Sequence, residues 1–158
     1  MSYADQKLIE LTRAHHGKWI HADQPGYEEL DPDVFWIQFE NEAQDKEFLI
    51  RKDSKQVSLF FDDWHATFPL EQDQLENMAK MADALLSDRC AVLKLDLGGQ
   101  KRIILLHDPD HILRGGPNLP VKIRIDEKVW HITFEQVLDG LIFWNYDPLS
   151  TVDPSSLN

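Results

Sequence analysis

Between residues 34 and 61 three short runs of β-branched and aromatic side chains follow one another. They are Val34-Phe35-Trp36-Ile37-Gln38-Phe39, Glu47-Phe48-Leu49-Ile50-Arg51 and Val57-Ser58-Leu59-Phe60-Phe61. Only the polar turns at 41–46 and 53–55 separate them, which reads as an antiparallel meander. The paired rings constrain this sheet further. Neighbours along a strand point to opposite faces, so Phe35 and Trp36 cannot share a face, nor can Phe60 and Phe61. Either both faces are covered, by the first helix and the C-terminal segment, or some rings stand outside. Rings left outside beside an acidic loop have the composition of a protein-binding hot spot.

The rest of the chain supplies helices and hairpins. Residues 4–16 carry Ala4, Leu8, Ile9 and Leu11 among charged neighbours, a short amphipathic helix with Gly17 placed to end it. Residues 21–32 form a polar loop rich in Asp, Gly and Pro. From 70 to 86 the period turns helical, with Leu75, Met78, Ala82 and Leu85 on one stripe and Glu71 and Asp73 in the first turns. Residues 90–97 and 100–107 flank Gly98-Gly99, a two-residue hairpin loop. That register sets Leu93 opposite Ile104, Ala91 opposite Leu106 and Asp96 opposite Lys101. The stretch 107–120 reads as a loop. Val121-Lys122-Ile123-Arg124-Ile125 and Val129-Trp130-His131-Ile132-Thr133 make a second hairpin, and Thr133 caps a short final helix through Gly140. The expectation is a single α+β domain over 1–147, with an antiparallel sheet of about seven strands, an N-terminal, a central and a short C-terminal helix. A flexible tail is expected at 148–158.

With 158 residues, 42% of them hydrophobic, the chain has enough apolar content for a packed core and is not disordered. No apolar run is long enough to span a bilayer, so no membrane partner is expected. The N-terminal stretch lacks an apolar segment bordered by basic residues, so a secretory signal is not expected either. The expected compartment is the cytoplasm. Cys90 is the only cysteine, which excludes an internal disulfide framework, and its apolar neighbours predict a buried, inert thiol. No cofactor is expected. Twenty-eight acidic residues against sixteen basic ones give a net charge of −12. The imbalance concentrates at 21–47, where nine acids face one lysine. Such a surface repels phosphates and argues against direct nucleic-acid binding, while it steers cationic partners.

Two clusters have the residue types for chemistry. Asp62, Asp63 and His65 sit where a strand becomes a turn before the Pro69 helix start, with Trp64 and Phe68 stapling the turn to the core. An aspartate there is able to orient the imidazole as a general base, or the three to bind a divalent metal. The spacing matches no metal motif in which chemistry fixes geometry, and turn residues of these types also bond local backbone. His107-Asp108-Pro109-Asp110-His111 offers two imidazoles and two carboxylates around a tight turn. The metal-dependent hydrolase that these clusters would build uses Asp62, His65, His107, Asp110 and His111. Gly98-Gly99 is no phosphate cradle, because the P-loop pattern and its helix are missing.

The stretch Leu59-Phe60-Phe61-Asp62-Asp63-Trp64-His65-Ala66-Thr67-Phe68, with the charged helix after it, resembles small bacterial proteins built on a strand–D-x-W-H-x-x-F–helix core. Some of these are immunity proteins of polymorphic toxin systems. The resemblance implies a small, acidic, non-enzymatic protein that blocks a toxin by direct binding, and it transfers no catalytic residue. Joined to the charge, it gives the leading expectation: a binder of a cationic toxin domain, in a toxin–antitoxin pairing. Glu28, Glu29, Asp31 and Asp33 would imitate substrate phosphates, and Phe35, Trp36, Asp62, Asp63, Trp64 and His65 would complete the contact. The alternatives are the hydrolase and a homodimer with Phe35 or Trp36 at its interface.

Overall fold

The computed structural model describes residues 2–20, 25, 27, 29, 33–116 and 121–146. The expected tail at 148–158, Glu28 and Asp31 lie outside the described residues. The chain divides into two compact units, Met1–Leu86 and Ser87–Asn158. The α+β class and the antiparallel pairing stand. Among the described residues the strands number ten and divide among three sheets, where the sequence suggested about seven in one.

The first unit contains α1 (Tyr3–His15), β1 (Lys18–Ile20), β2 (Phe35–Glu40), β3 (Glu47–Lys52), β4 (Gln56–Phe61), β5 (Trp64–Pro69) and α2 (Gln72–Leu86). Its five strands pair in chain order, every pair antiparallel. Ser2 caps α1 by accepting from the Asp5 N–H. The helix ends because His16 takes the left-handed conformation, φ 59°, and Gly17 N–H returns to the Thr12 carbonyl at 2.9 Å. Gly17 therefore does not turn the chain. It makes room: a Cβ there would lie 2.6 Å from the Phe39 ring.

Residues 64–69 are a strand, not the expected lead into a helix. Trp64, Ala66 and Phe68 alternate onto one face, and Pro69 is tolerated because it ends an edge strand. The hairpin between β4 and β5 turns at Asp62, whose φ of 53° an aspartate accepts more readily than most residues. The inward side chains Ile37, Phe39, Phe48, Ile50, Val57, Leu59 and Phe61 are all buried. They form one core with Leu8 and Leu11 of α1 and Leu75, Met78, Ala82 and Leu85 of α2, the α2 stripe that the periodicity predicts. Contacts between the helices themselves fasten α1 to α2. His15 Nε2 lies 2.7 Å from Asp83 Oδ1, and Tyr3 O–H donates to Glu76 at 3.0 Å.

The second unit contains β6 (Ala91–Leu97), β7 (Gln100–Leu106), α3 (Pro109–Gly115), β8 (Val121–Ile125), β9 (Lys128–Ile132), α4 (Phe134–Gly140) and β10 (Leu141–Ile142). One sheet runs β10-β6-β7 and a second consists of β8 and β9. Leu93 faces Ile104, Ala91 faces Leu106 and Asp96 faces Lys101, the register read from the sequence. Val121, Ile123, Ile125 and Ile132 join Ala91, Leu93 and Leu95 in one core with Val137 and Phe143. Thr133 caps α4 in a capping box with Gln136, as its position suggested. Cys90 is buried, as its neighbours suggested, and burial pushes its thiol up to about 11.

Candidate interaction face

Strand parity and register decide which side chains the first sheet turns away from its helices. Gln38, Leu49, Phe60 and His65 form one cross-strand row. Trp36, Arg51, Ser58 and Thr67 form the next. Both helices of this unit pack on the opposite face, so neither of them covers the outward rings. Trp36 and Phe60 are half-buried and His65 is exposed. The rings continue from one to the next. Tyr27 meets Trp36 edge-on at 5.5 Å, Trp36 lies 5.9 Å from Phe60, and Phe60 stacks on His65 at 6.3 Å.

Arg51 organises one end of this face. Its Nε donates to Glu29 Oε1 at 2.9 Å and its Nη1 to Asp53 Oδ2 at 2.8 Å, while its guanidinium lies 5.9 Å from the Trp36 ring centre. The Trp36 indole N–H also donates to Glu29, at 3.3 Å. The Arg51 hydrogen bond holds the Glu29 carboxyl below its ordinary range. Asp53 is held low by the Lys55 backbone N–H and then by Arg51, and Arg51 is raised in turn, first by Glu29. Glu29 is thus committed to an arginine and a tryptophan of its own chain.

The other end is acidic. Glu40 and Glu47 stand opposite each other across β2 and β3, an arrangement that costs stability. Glu47 accepts from the Gln38 amide and, at 3.5 Å, from Tyr27 O–H. Burial and then the nearby Glu47 raise the Tyr27 hydroxyl above its usual range. Asn41, itself buried, shapes the turn before β3: its Oδ1 accepts from the N–H groups of Asp45 and Lys46, each at 3.0 Å. Its amide also bonds the Asp45 carboxylate and holds that group low. A cleft of about 310 Å³ opens here, lined by Asp45, Lys46, Glu47, Leu49, Phe60, Phe61 and Asp62.

The residues singled out from sequence scatter accordingly. Trp36 and His65 share the outward face, and exposed Asp62 and Asp63 form the β4–β5 turn at its edge. Phe35 and Trp64 point inward. Trp64 is 8% exposed, and Phe35 lies under the Lys52 ammonium and 4.8 Å from Trp19, so both belong to the helix side. Asp33 is exposed beside the start of β2. Tyr27, Glu47, Leu49 and Arg51 were missed, and Phe60 was noticed only as one of the rings able to stand outside. The register that turn lengths impose places Leu49 and Phe60 in one row, and that signal was present in the sequence.

The hydrolase expectation draws on both units. In the second, the stretch read as a tight turn is the start of α3: Asp108 caps it by accepting from His111 N–H at 3.3 Å, and Pro109 occupies its first turn. An Asp-Pro pair serves a helix start as well as a turn, since proline needs no N–H partner there. His107, Asp110 and His111 are exposed around that start. Among the described residues no three His, Cys, Asp or Glu side chains gather to hold a metal ion. Among the same residues no helix is long and apolar enough to cross a membrane. No protein-family model matches the chain, and neither a curated protein nor a solved structure matches it at a significant level.

Proposed function

We propose that the chain is a non-enzymatic protein-binding protein whose contact surface is the outward face of the β1–β5 sheet. Its partner is a cationic protein domain. In line with the resemblance of the Leu59–Phe68 stretch, the reading takes that partner to be a bacterial toxin that the chain neutralises by direct binding. The observation that carries the reading is the row of rings Tyr27, Trp36, Phe60 and His65 on a face that neither helix of its unit covers. Tyr27, Trp36 and Phe60 are half-buried and His65 exposed, and rings of this kind are the side chains that dominate protein contacts.

Charge supports the sign of the partner. The unit Met1–Leu86 holds eighteen acidic and eight basic residues, a net of −10, so encounter with a basic surface is accelerated at low salt. The test is co-expression with the product of the adjacent gene, followed by co-purification and a salt titration. The expected result is relief of toxicity and a one-to-one complex that weakens with salt and is lost in Phe60→Ala. A neighbouring product that is neither toxic nor bound overturns the proposal, as does a complex indifferent to both salt and Phe60→Ala.

A further inference from the structure

The cleft at the acidic end of the ring row has two kinds of wall. Leu49 and the Phe60 ring supply apolar surface, while the carboxylates of Asp45, Glu47 and Asp62 surround it against the single ammonium of Lys46. Its volume, about 310 Å³, is at the bottom of the range of ligand pockets and suits one side chain rather than a larger molecule. The carboxylates do not converge as a metal-binding trio. Anionic groups dispersed around an apolar floor match a cation carried on a methylene stem, which packs its stem and leaves its head at the polar rim.

Two of the walls are built in advance. Asn41 fixes Asp45 through its own side chain and fixes the turn through two backbone N–H groups. Gln38 and Tyr27 orient Glu47. Groups already held in place lose little freedom when a ligand arrives. The same sheet face also shows this recognition within the chain, in the neighbouring row, where Arg51 rests by the Trp36 ring and bonds Glu29. Phe60, Glu47 and Asp45 repeat that combination of ring and carboxylate without an internal arginine among them.

We propose that this cleft receives one lysine or arginine side chain of the partner protein, an inference that rests on the protein-binding reading above. The stem lies on Leu49 and Phe60, and the cationic head meets Glu47 and Asp45.

The test is an amide-resolved NMR titration of the full chain with N-acetyl-arginine methylamide and N-acetyl-lysine methylamide. N-acetyl-norleucine methylamide, which has the stem without the charge, is the control. The expected result is saturable shifts centred on residues 45–49 and 60–62 for the two cations, and a response at least about tenfold weaker for norleucine, the scale of one charge-assisted hydrogen bond. Glu47→Gln, an exposed change that leaves the core intact, weakens the arginine response by a similar factor. Shifts spread over the whole acidic surface, or an equal response to norleucine, overturn the inference. If Phe60→Ala abolishes the partner complex while the cleft ignores both cations, the cleft assignment falls and the protein-binding reading stands. If the cleft saturates with arginine while no neighbouring product binds, the cleft assignment stands and the toxin reading falls.

Discussion

The two units solve the same problem with different outer faces. In β8 of Ser87–Asn158 the alternation is simple: Val121, Ile123 and Ile125 are buried, and Lys122 and Arg124 face outward. In β2, β3, β4 and β5 of Met1–Leu86 the outward positions hold Trp36, Leu49, Phe60 and His65. Charge divides the same way, eighteen acids to eight bases in the first unit and ten to eight in the second. Solubility alone would spread acids over both units. An outer sheet face of half-buried rings with acids gathered around them differs from the charged outer face of β8, and the proposed binding role rests on that difference.

The largest effect is expected from adjacent residues on opposite faces. Phe61 is 1% exposed and Phe60 half-buried. Phe61→Ala is expected to lose about 3–5 kcal/mol in urea unfolding. Phe60→Ala is expected to lose only about 1 kcal/mol, since half of a phenylalanine's burial is at stake, while abolishing partner binding. Equal losses in the two variants would mean that the outward face is ordinary core.

A smaller effect tests the packing of the second unit. A Cβ on Gly140 would lie 2.0 Å from the Lys94 carbonyl oxygen, and backbone cannot yield as a side-chain tip can. Gly140→Ala is expected to cost about 1–3 kcal/mol by the same measurement and to leave partner binding through the first unit unchanged. Below that comes the α4 cap. Thr133→Ala removes the hydroxyl that accepts from Gln136 N–H and is expected to cost about 1 kcal/mol, read as a lower unfolding midpoint.

The smallest effect concerns pH. Glu29 and Asp53 titrate lower in the folded chain than in the unfolded one, so the unfolded state takes up protons first as pH falls. Their contribution is complete above the ordinary carboxylate values, near pH 4, and is lost as pH drops through the depressed folded values. Arg51→Met is expected to flatten the Glu29 part of that stability–pH curve, measured by urea unfolding between neutral and strongly acidic pH, while the Asp53 part, set first by the Lys55 N–H, persists. A curve of unchanged slope would show that the Arg51 pairing is not what depresses Glu29.

How much of this was legible is clearest from particular residues. The α2 stripe, the Gly98-Gly99 register and the Thr133 cap rest on interactions within a few residues or across a two-residue turn, and sequence reports such interactions directly. Residues 64–69 and 109–115 were misread because Pro69 and Pro109 serve more than one local structure. Pairing of β5 with β4 decided the first, and the Asp108 cap decided the second. The boundary after Leu86 left no Gly- or Pro-rich linker, so composition did not announce it.

The order of residues alone dictates that adjacent rings point to opposite faces and that acids crowd the first half of the chain. Both follow from strand geometry and from counting. Folding in three dimensions brings the rest: both helices of the first unit cover the same face, Glu29 pairs with Arg51, and Leu49, Phe60 and Glu47 meet in one cleft. Those outcomes depend on residues many positions apart coming together, and local preference holds no record of which distant partner a side chain will find.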